Sequence, residues 1–253
     1  MSGIILTLDL GNSAAKLLRW GAVQEFSRIE WGAAWREELE KYLQPRGAEV
    51  VETIAISSVA AAELQDEVVE LCTEAGRKVV VNPDTELRIA CRSTETIGRD
   101  RLFAAQGAWA ERAEAAIVVD AGTALTVDAL GCDGAVGVFM GGAIAPGPEL
   151  LARALGTGAA KLFEIKPELS VAALGQDTPG ALAAGVVVGF RGAARELVQQ
   201  VASEAGLEHA AVWLTGGAAG YLKPPGLFGD RCVQHSPALV HHGLRHVALG
   251  KAR

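Results

Sequence analysis

Three short segments of this 253-residue chain set aspartate or threonine beside glycine where an apolar run ends. They are Asp9-Leu10-Gly11-Asn12-Ser13-Ala14-Ala15-Lys16, Asp120-Ala121-Gly122-Thr123-Ala124-Leu125-Thr126 and Thr215-Gly216-Gly217-Ala218-Ala219-Gly220. In such turns backbone N–H groups can point at phosphate oxygens, and glycine lets a ligand come close. Asp9 and Asp120 stand at strand ends, where a carboxylate could hold a cation or its water shell. Mg²⁺ usually takes one or two carboxylates together with phosphate oxygens. The pattern Asp-x-Gly-polar-small of Asp9 recurs at Asp120. Two such turns facing each other across a cleft would make a nucleotide site. Either one alone reads equally as a tight hairpin turn. Neither G-x-x-x-x-G-K-[ST] nor G-x-G-x-x-G occurs, which removes the main support for a P-loop or a dinucleotide-binding fold.

A second kind of chemistry is offered by Gly98-Arg99-Asp100-Arg101, ahead of a helix predicted from Leu102 to Glu114. Its arginines could hold an anionic substrate while Asp100 accepts a proton from a hydroxyl. The alternative is a helix start, with aspartate favoured by the dipole and both arginines solvated. His242 and His246 stand four apart on a possible helix, but no H-E-x-x-H is present, so ordinary histidines are expected. Ser57-Ser58 lacks a G-x-S-x-G setting and reads as a strand end.

The elements that must position these residues follow from hydrophobic spacing. Ile4–Leu8 and Lys16–Trp20 flank the first turn as strands, and a helix is expected over Trp35–Leu43. Val51–Ser57 reads as a strand, Ala61–Ala75 as a helix and Lys78–Val81 as a strand closed by Asn82-Pro83. Ile117–Val119 and Leu125–Val127 flank the second turn. Gly141–Gly147 reads as a Gly/Pro-rich turn before a helix starting near Glu149. A long helix is expected from Thr178 to Ala205. Its Gly180, Gly185, Gly189 and Gly192 predict either close approach of another backbone, such as a second subunit, or a break. Val212–Leu214 leads into the third turn. Strands alternating with helices indicate a partly parallel α/β sheet, and the repeat predicts two domains, 1–114 and 115–253.

Composition narrows the field. Hydrophobic residues are 50% and charged residues 21%, enough for a sizeable core, and the net charge of −7 disfavours nucleic acid and anionic membranes as partners. No apolar run approaches the roughly 18 residues of a membrane span. Cys72, Cys91, Cys132 and Cys232 form no C-x-x-C pair. With no basic and apolar leader ahead of Ile4, reduced thiols and a cytoplasmic location are expected.

Taken in order, the motifs resemble type III pantothenate kinases. The likeness rests on Asp9-x-Gly-Asn-Ser-x-x-Lys16, Gly98-x-Asp-Arg101, Asp120-x-Gly-Thr-Ala124 with Thr126 and Asp128, and Gly141-Gly-x-Ile-x-Pro-Gly147. Ile54-Ala-Ile-Ser-Ser-Val59 and Pro237-Ala-Leu-Val with Gly243-Leu also fit, so it spans nearly the whole chain. It implies two ribonuclease H-like domains of the acetate and sugar kinase, heat-shock ATPase and actin superfamily, with a cleft between them. The implied activity is ATP-dependent phosphorylation of pantothenate, the first step of coenzyme A synthesis, in a homodimer that needs Mg²⁺ and K⁺ or ammonium.

Carried over by position, Asp9 through Lys16 would bind the ATP phosphates and Thr123 would contact ATP. Gly98, Arg99, Asp100 and Arg101 would form the pantothenate turn, with Asp100 the proton acceptor. Thr178 would be a further pantothenate contact and Asp120 the monovalent-cation ligand. Where the family often has a tyrosine before the Gly-x-Asp-Arg turn, this chain has Cys91. Two alternatives stay open: another small-molecule kinase of the superfamily, and a nucleotide-binding regulatory or accessory protein.

Overall fold

The computed structural model describes residues 2–250. These fall into two compact units, one from Met1–Leu87, Arg92–Ala113 and Ala238–Arg253, the other from Arg88–Cys91 and Glu114–Pro237. The chain thus passes from one unit to the other at 113–114, and its closing segment belongs to the first.

In the first unit, β1 (Ser2–Leu10), β2 (Ala14–Trp20), β3 (Gln24–Glu30), β4 (Glu49–Ser58) and β5 (Lys78–Val81) form a sheet in the order β3-β2-β1-β4-β5. β1 pairs antiparallel with β2 and parallel with β4. Leu6, Leu8, Leu10, Ile54 and Ile56 are fully buried. That is why these central strands read as nearly continuous apolar runs. Helices α1 (Trp35–Leu43) and α2 (Ala62–Glu74) bring Leu39, Leu43, Val68 and Cys72 onto this core. Burial pushes the Cys72 thiol up to about 12, so it is a core residue and not a nucleophile. Helix α3 (Arg99–Arg112) starts three residues before the expected Leu102. Gly98–Arg101 is therefore the cap and first turn of that helix.

In the second unit, β6 (Arg88–Ile89), β7 (Ala116–Ala121), β8 (Ala124–Asp133), β9 (Val136–Pro146), β10 (Ala211–Thr215) and β11 (Val233–His235) are ordered β11-β10-β7-β8-β9-β6. From β9 to β11 this repeats the first sheet: three antiparallel strands, then two parallel ones. The ends of β1 and β7, which carry Asp9 and Asp120, are equivalent positions. Helix α4 (Pro148–Gly158) follows β9, and α5 (Thr178–Glu204) lays Phe190, Ala194, Val198 and Ala202 against Ile117, Val119, Leu125 and Val127. Their spacing of four puts them on one helix face. α5 is a continuous helix of 27 residues, so the expected alternative of a break does not occur.

One expectation needs correction. Gly141–Pro146 is not a turn but the second half of β9. Its glycines allow close pairing: a Cβ on Gly142 would strike the Val127 carbonyl. Strands β3, β6 and β11 lack the apolar spacing that marks the other strands in the sequence. α6 (Leu239–Leu249) lies against α3, where a Cβ on Gly107 would strike the Leu239 carbonyl and one on Gly243 the Phe103 carbonyl. This crossing fastens the closing segment to the first unit. Among the described residues, no helix is long and apolar enough to cross a membrane.

Candidate active site

In the first unit the register sets Asp9 opposite Lys16 and beside Ser57. Lys16 Nζ lies 3.6 Å from Asp9 Oδ2, the aspartate side chain 7% and the lysine 32% exposed. An ammonium on a flexible stem, held loosely at that distance, can turn to a phosphate. The hairpin turn is closed by the Gly11 N–H donating to the Ala14 carbonyl at 3.0 Å, and Trp31 Nε1 donates to the Gly11 carbonyl at 2.8 Å. Asn12 and Ser13 are exposed, whereas Leu10, Ala14 and Ala15 are buried. Those three can therefore offer a ligand only backbone groups.

Asp100 stands in the first turn of α3, half-buried, and its Oδ1 accepts the Arg101 N–H at 2.8 Å. The positive end of the helix dipole favours a carboxylate there. The dipole and substrate readings of this aspartate are therefore compatible. Arg99 turns back to the loop after β5, where Nη2 donates to the carbonyls of Asn82 and, at 3.1 Å, Pro83. Its guanidinium also lies 5.7 Å from the Phe103 ring centre. Arg101, two residues further on, is half-buried.

In the second unit Asp120 on β7 is flanked by Thr126 on β8 and Thr215 on β10. Three turns converge on this strand end. The Gly122 N–H donates to the Ala124 carbonyl at 2.8 Å, Gly147 to Thr123 at 2.9 Å and Ala218 to Ala121 at 2.7 Å. Gly216 adopts φ +91°, and a Cβ there would strike both the Ala121 carbonyl and the Asp120 carboxylate. Only glycine suits that place. Thr123 is exposed at the lip, while Thr126 and Asp128 are buried. Gly147 and Gly216 are thus parts of the same constellation that sequence spacing did not join to Asp120. Among the described residues, no group of three or more His, Cys, Asp or Glu could hold a metal ion. The hard-oxygen donors here are single carboxylates and backbone carbonyls, a set suited to a cation that shares its coordination with phosphate.

Thr178 opens α5 in the same unit, exposed, after Asp177, whose Oδ1 accepts the Gly180 N–H at 2.7 Å. It lines an open cavity of about 590 Å³ with Leu155, Leu162, Gln176, Asp177 and Leu182. Cys91 follows β6 in the second unit, with its sulfur beside Gly141. Three of the late histidines have polar partners within the fold. His242 Nδ1 meets Glu111 at 2.6 Å and His246 Nε2 meets Glu86 at 3.1 Å. His241 is buried, with Nδ1 2.9 Å from Thr7 Oγ1. Ser57 and Ser58 are buried at the end of β4.

A sequence model of the family described as type III pantothenate kinase matches residues 5–200. The chain belongs to the type III pantothenate kinase family. The type III pantothenate kinase of Alkalilimnicola ehrlichii is 34% identical over 255 residues, spanning 96% of this chain and 97% of its own. That of Halorhodospira halophila is 32% identical over 269 residues, spanning 98% and 99%. Among solved structures, the pCBH ParM non-polymerisable quadruple mutant aligns with a TM-score of 0.55 over 96% of this chain and 98% of its own, at 7% identity. That likeness is one of fold alone. It agrees with the repeated mixed sheets of the two units, each consistent with a ribonuclease H-like arrangement. The activity is ATP-dependent phosphorylation of pantothenate, the first step of coenzyme A biosynthesis.

Proposed function

We propose that phosphoryl transfer to pantothenate is carried by Asp100, with the turns after β1 and β7 serving ATP. Asp100 orients the primary hydroxyl of pantothenate and takes its proton as the oxygen attacks the γ-phosphorus. The transition state is loose, so the protein's part is positioning and charge stabilisation. Lys16 leaves its long contact with Asp9 to meet phosphate oxygens, and the backbone N–H groups of Asn12, Ser13 and Thr123 do the same. Arg101 binds pantothenate with the planar fork that a carboxylate or carbonyl can accept. Thr178 adds a hydroxyl from the cavity at the start of α5.

Asp9 suits Mg²⁺ carried by ATP, because a lone carboxylate beside phosphates completes the ion's oxygen shell. Asp120, among the Ala121, Gly122 and Thr123 carbonyls, suits K⁺ or ammonium. Each cation would supply positive charge next to the transferring group. The four cysteines are thiols and not disulfides, which suits a cytoplasmic enzyme. The reading extends to a homodimer built on α5. A Cβ on Gly185, Gly189 or Gly192 would meet nothing within 4 Å, and Val188 beside them is 40% exposed.

The observation that carries the reading is the equivalence of Asp9 and Asp120. Each ends the central strand of a repeated sheet and each leads into a glycine turn. Calorimetric titration of ATP and of pantothenate into Asp9→Ala and Arg101→Met tests it. The expected result is loss of ATP binding in the first variant and of pantothenate binding in the second. The reverse pattern would overturn the assignment.

A further inference from the structure

Asn82 has a conformation that its local sequence disfavours. Its φ is +45°, in the left-handed region that few residues other than glycine enter, and it precedes Pro83. Asparagine tolerates that region better than most, but a following proline restricts its backbone further. Such an outlier persists where surrounding contacts over-determine it, and it points to a functional role.

The contacts are specific. The Asn82 N–H donates to the Ile56 carbonyl at 2.7 Å, and its Oδ1 accepts the Ser58 N–H at 2.9 Å, which closes the end of β4. That end is paired with the Asp9 end of β1: Ser57 lies opposite Asp9 and Ser58 opposite Leu10, and the Val59 N–H donates to the Leu10 carbonyl at 3.0 Å. On its other side the Asn82 carbonyl accepts Arg99 Nη2, and Arg99 directly precedes Asp100. The same loop is tied to α3 a second time, by the Glu86 N–H donating to Gln106 Oε1 at 2.8 Å. The ion pair of Arg99 with the fully exposed Asp84, at 3.8 Å, adds little.

We propose that Asn82 is a positioning residue, linking the strand pair that bears Asp9 to the helix start that bears Asp100. It touches neither substrate. It keeps the base in register with the phosphate turn, and it rests on the reading that these two aspartates serve one reaction. A displacement of about 1 Å in a reacting group can lower the rate about 100-fold.

Steady-state kinetics on three variants test this, with melting temperature measured alongside. Asn82→Gly keeps the left-handed backbone but loses the Ser58 bond. Asn82→Ala loses both, and Asn82→Asp keeps both. The expected kcat falls about 10–100-fold in the glycine and alanine variants, with KM for ATP and pantothenate within about twofold, and the aspartate variant recovers most of the rate. A folded glycine variant with wild-type kcat overturns the proposal. Should that variant fail to fold, Arg99→Leu reads the same link from its other end. A fall in kcat at constant pantothenate KM supports the proposal, and an unchanged kcat overturns it. Asp100→Asn, run in parallel, separates this idea from the reading beneath it. If that variant keeps full activity, the base assignment has failed; if it is dead while Asn82→Gly is not, only the positioning role has.

Discussion

Acidification should weaken the first unit through His241. His241 is 1% exposed, its Nδ1 is 2.9 Å from Thr7 Oγ1, and its ring stands edge-on to Phe26 at 5.7 Å between centres. Thr7 Oγ1 also accepts Trp20 Nε1 at 2.9 Å, so the histidine closes a buried polar cluster. Burial, then the charges of Lys16 and His242, lower its pKa from 6.5 to about 3, with the Thr7 contact acting the other way. The unfolded chain therefore takes up a proton below about pH 6.5 that the folded chain refuses until about pH 3. The associated stability is complete above 6.5 and is lost as pH falls from there toward 3. At about 1.4 kcal/mol per pKa unit, the loss between pH 7 and pH 5 is about 2 kcal/mol. Urea denaturation of the wild type and of His241→Gln at pH 7, 6 and 5 measures it. The variant is weaker at pH 7, since Thr7 loses a partner, but its deficit shrinks by about 2 kcal/mol on reaching pH 5. Carboxylates and the pairs His242–Glu111 and His246–Glu86 are common to both proteins and cancel in the difference. Parallel pH profiles for the two proteins would refute the argument.

Three further outcomes are expected. Arg101→Met raises KM for pantothenate much more than KM for ATP. Losing a charge-assisted hydrogen bond of about 1.5–3 kcal/mol corresponds to a fall of about 10–150-fold in kcat/KM, whereas a purely structural arginine would lower the melting temperature and leave both KM values alone. Activity is high in K⁺ or ammonium and low in Na⁺, and Asp120→Ala is largely inactive; equal rates in all three salts would speak against a monovalent cation at Asp120. Light scattering at micromolar concentration gives about twice the 26.3 kDa chain mass, and a fully active monomer would remove α5 from an interface role.

Much of this molecule was legible because its signals are local. α1 and β5 occupy the residues that apolar spacing indicated, Trp35–Leu43 and Lys78–Val81. The Asp-x-Gly repeat anticipated the equivalence of β1 and β7, since a strand end followed by a tight turn needs those residue types in any context. What escaped depends on tertiary partners. β9 reads as a turn because its glycines carry no strand propensity, although Gly142 is what permits close pairing against Val127 and Asp128. β3 alternates exposed and half-buried residues without a strong apolar run. The placement of α6 rests on the Gly107–Gly243 crossing, which joins residues far apart in sequence. At the site, spacing made Arg99 and Arg101 look alike; only the position of the loop after β5 gives Arg99 two backbone carbonyls to hold. Asn82 looked like an ordinary strand end, because neither its positive φ nor its link to Ser58 can be read from neighbouring letters.

The central claim is that Asp100 removes the proton from pantothenate as the phosphoryl group moves. The most direct measurement is single-turnover formation of 4'-phosphopantothenate by wild type and Asp100→Asn, both saturated with ATP and pantothenate. The exchange removes the charge but keeps the side chain's size and its oxygen acceptor for the Arg101 N–H. The account predicts unchanged ATP binding and a transfer rate lower by about 10²–10⁴-fold. A variant that forms product at the wild-type rate would contradict it.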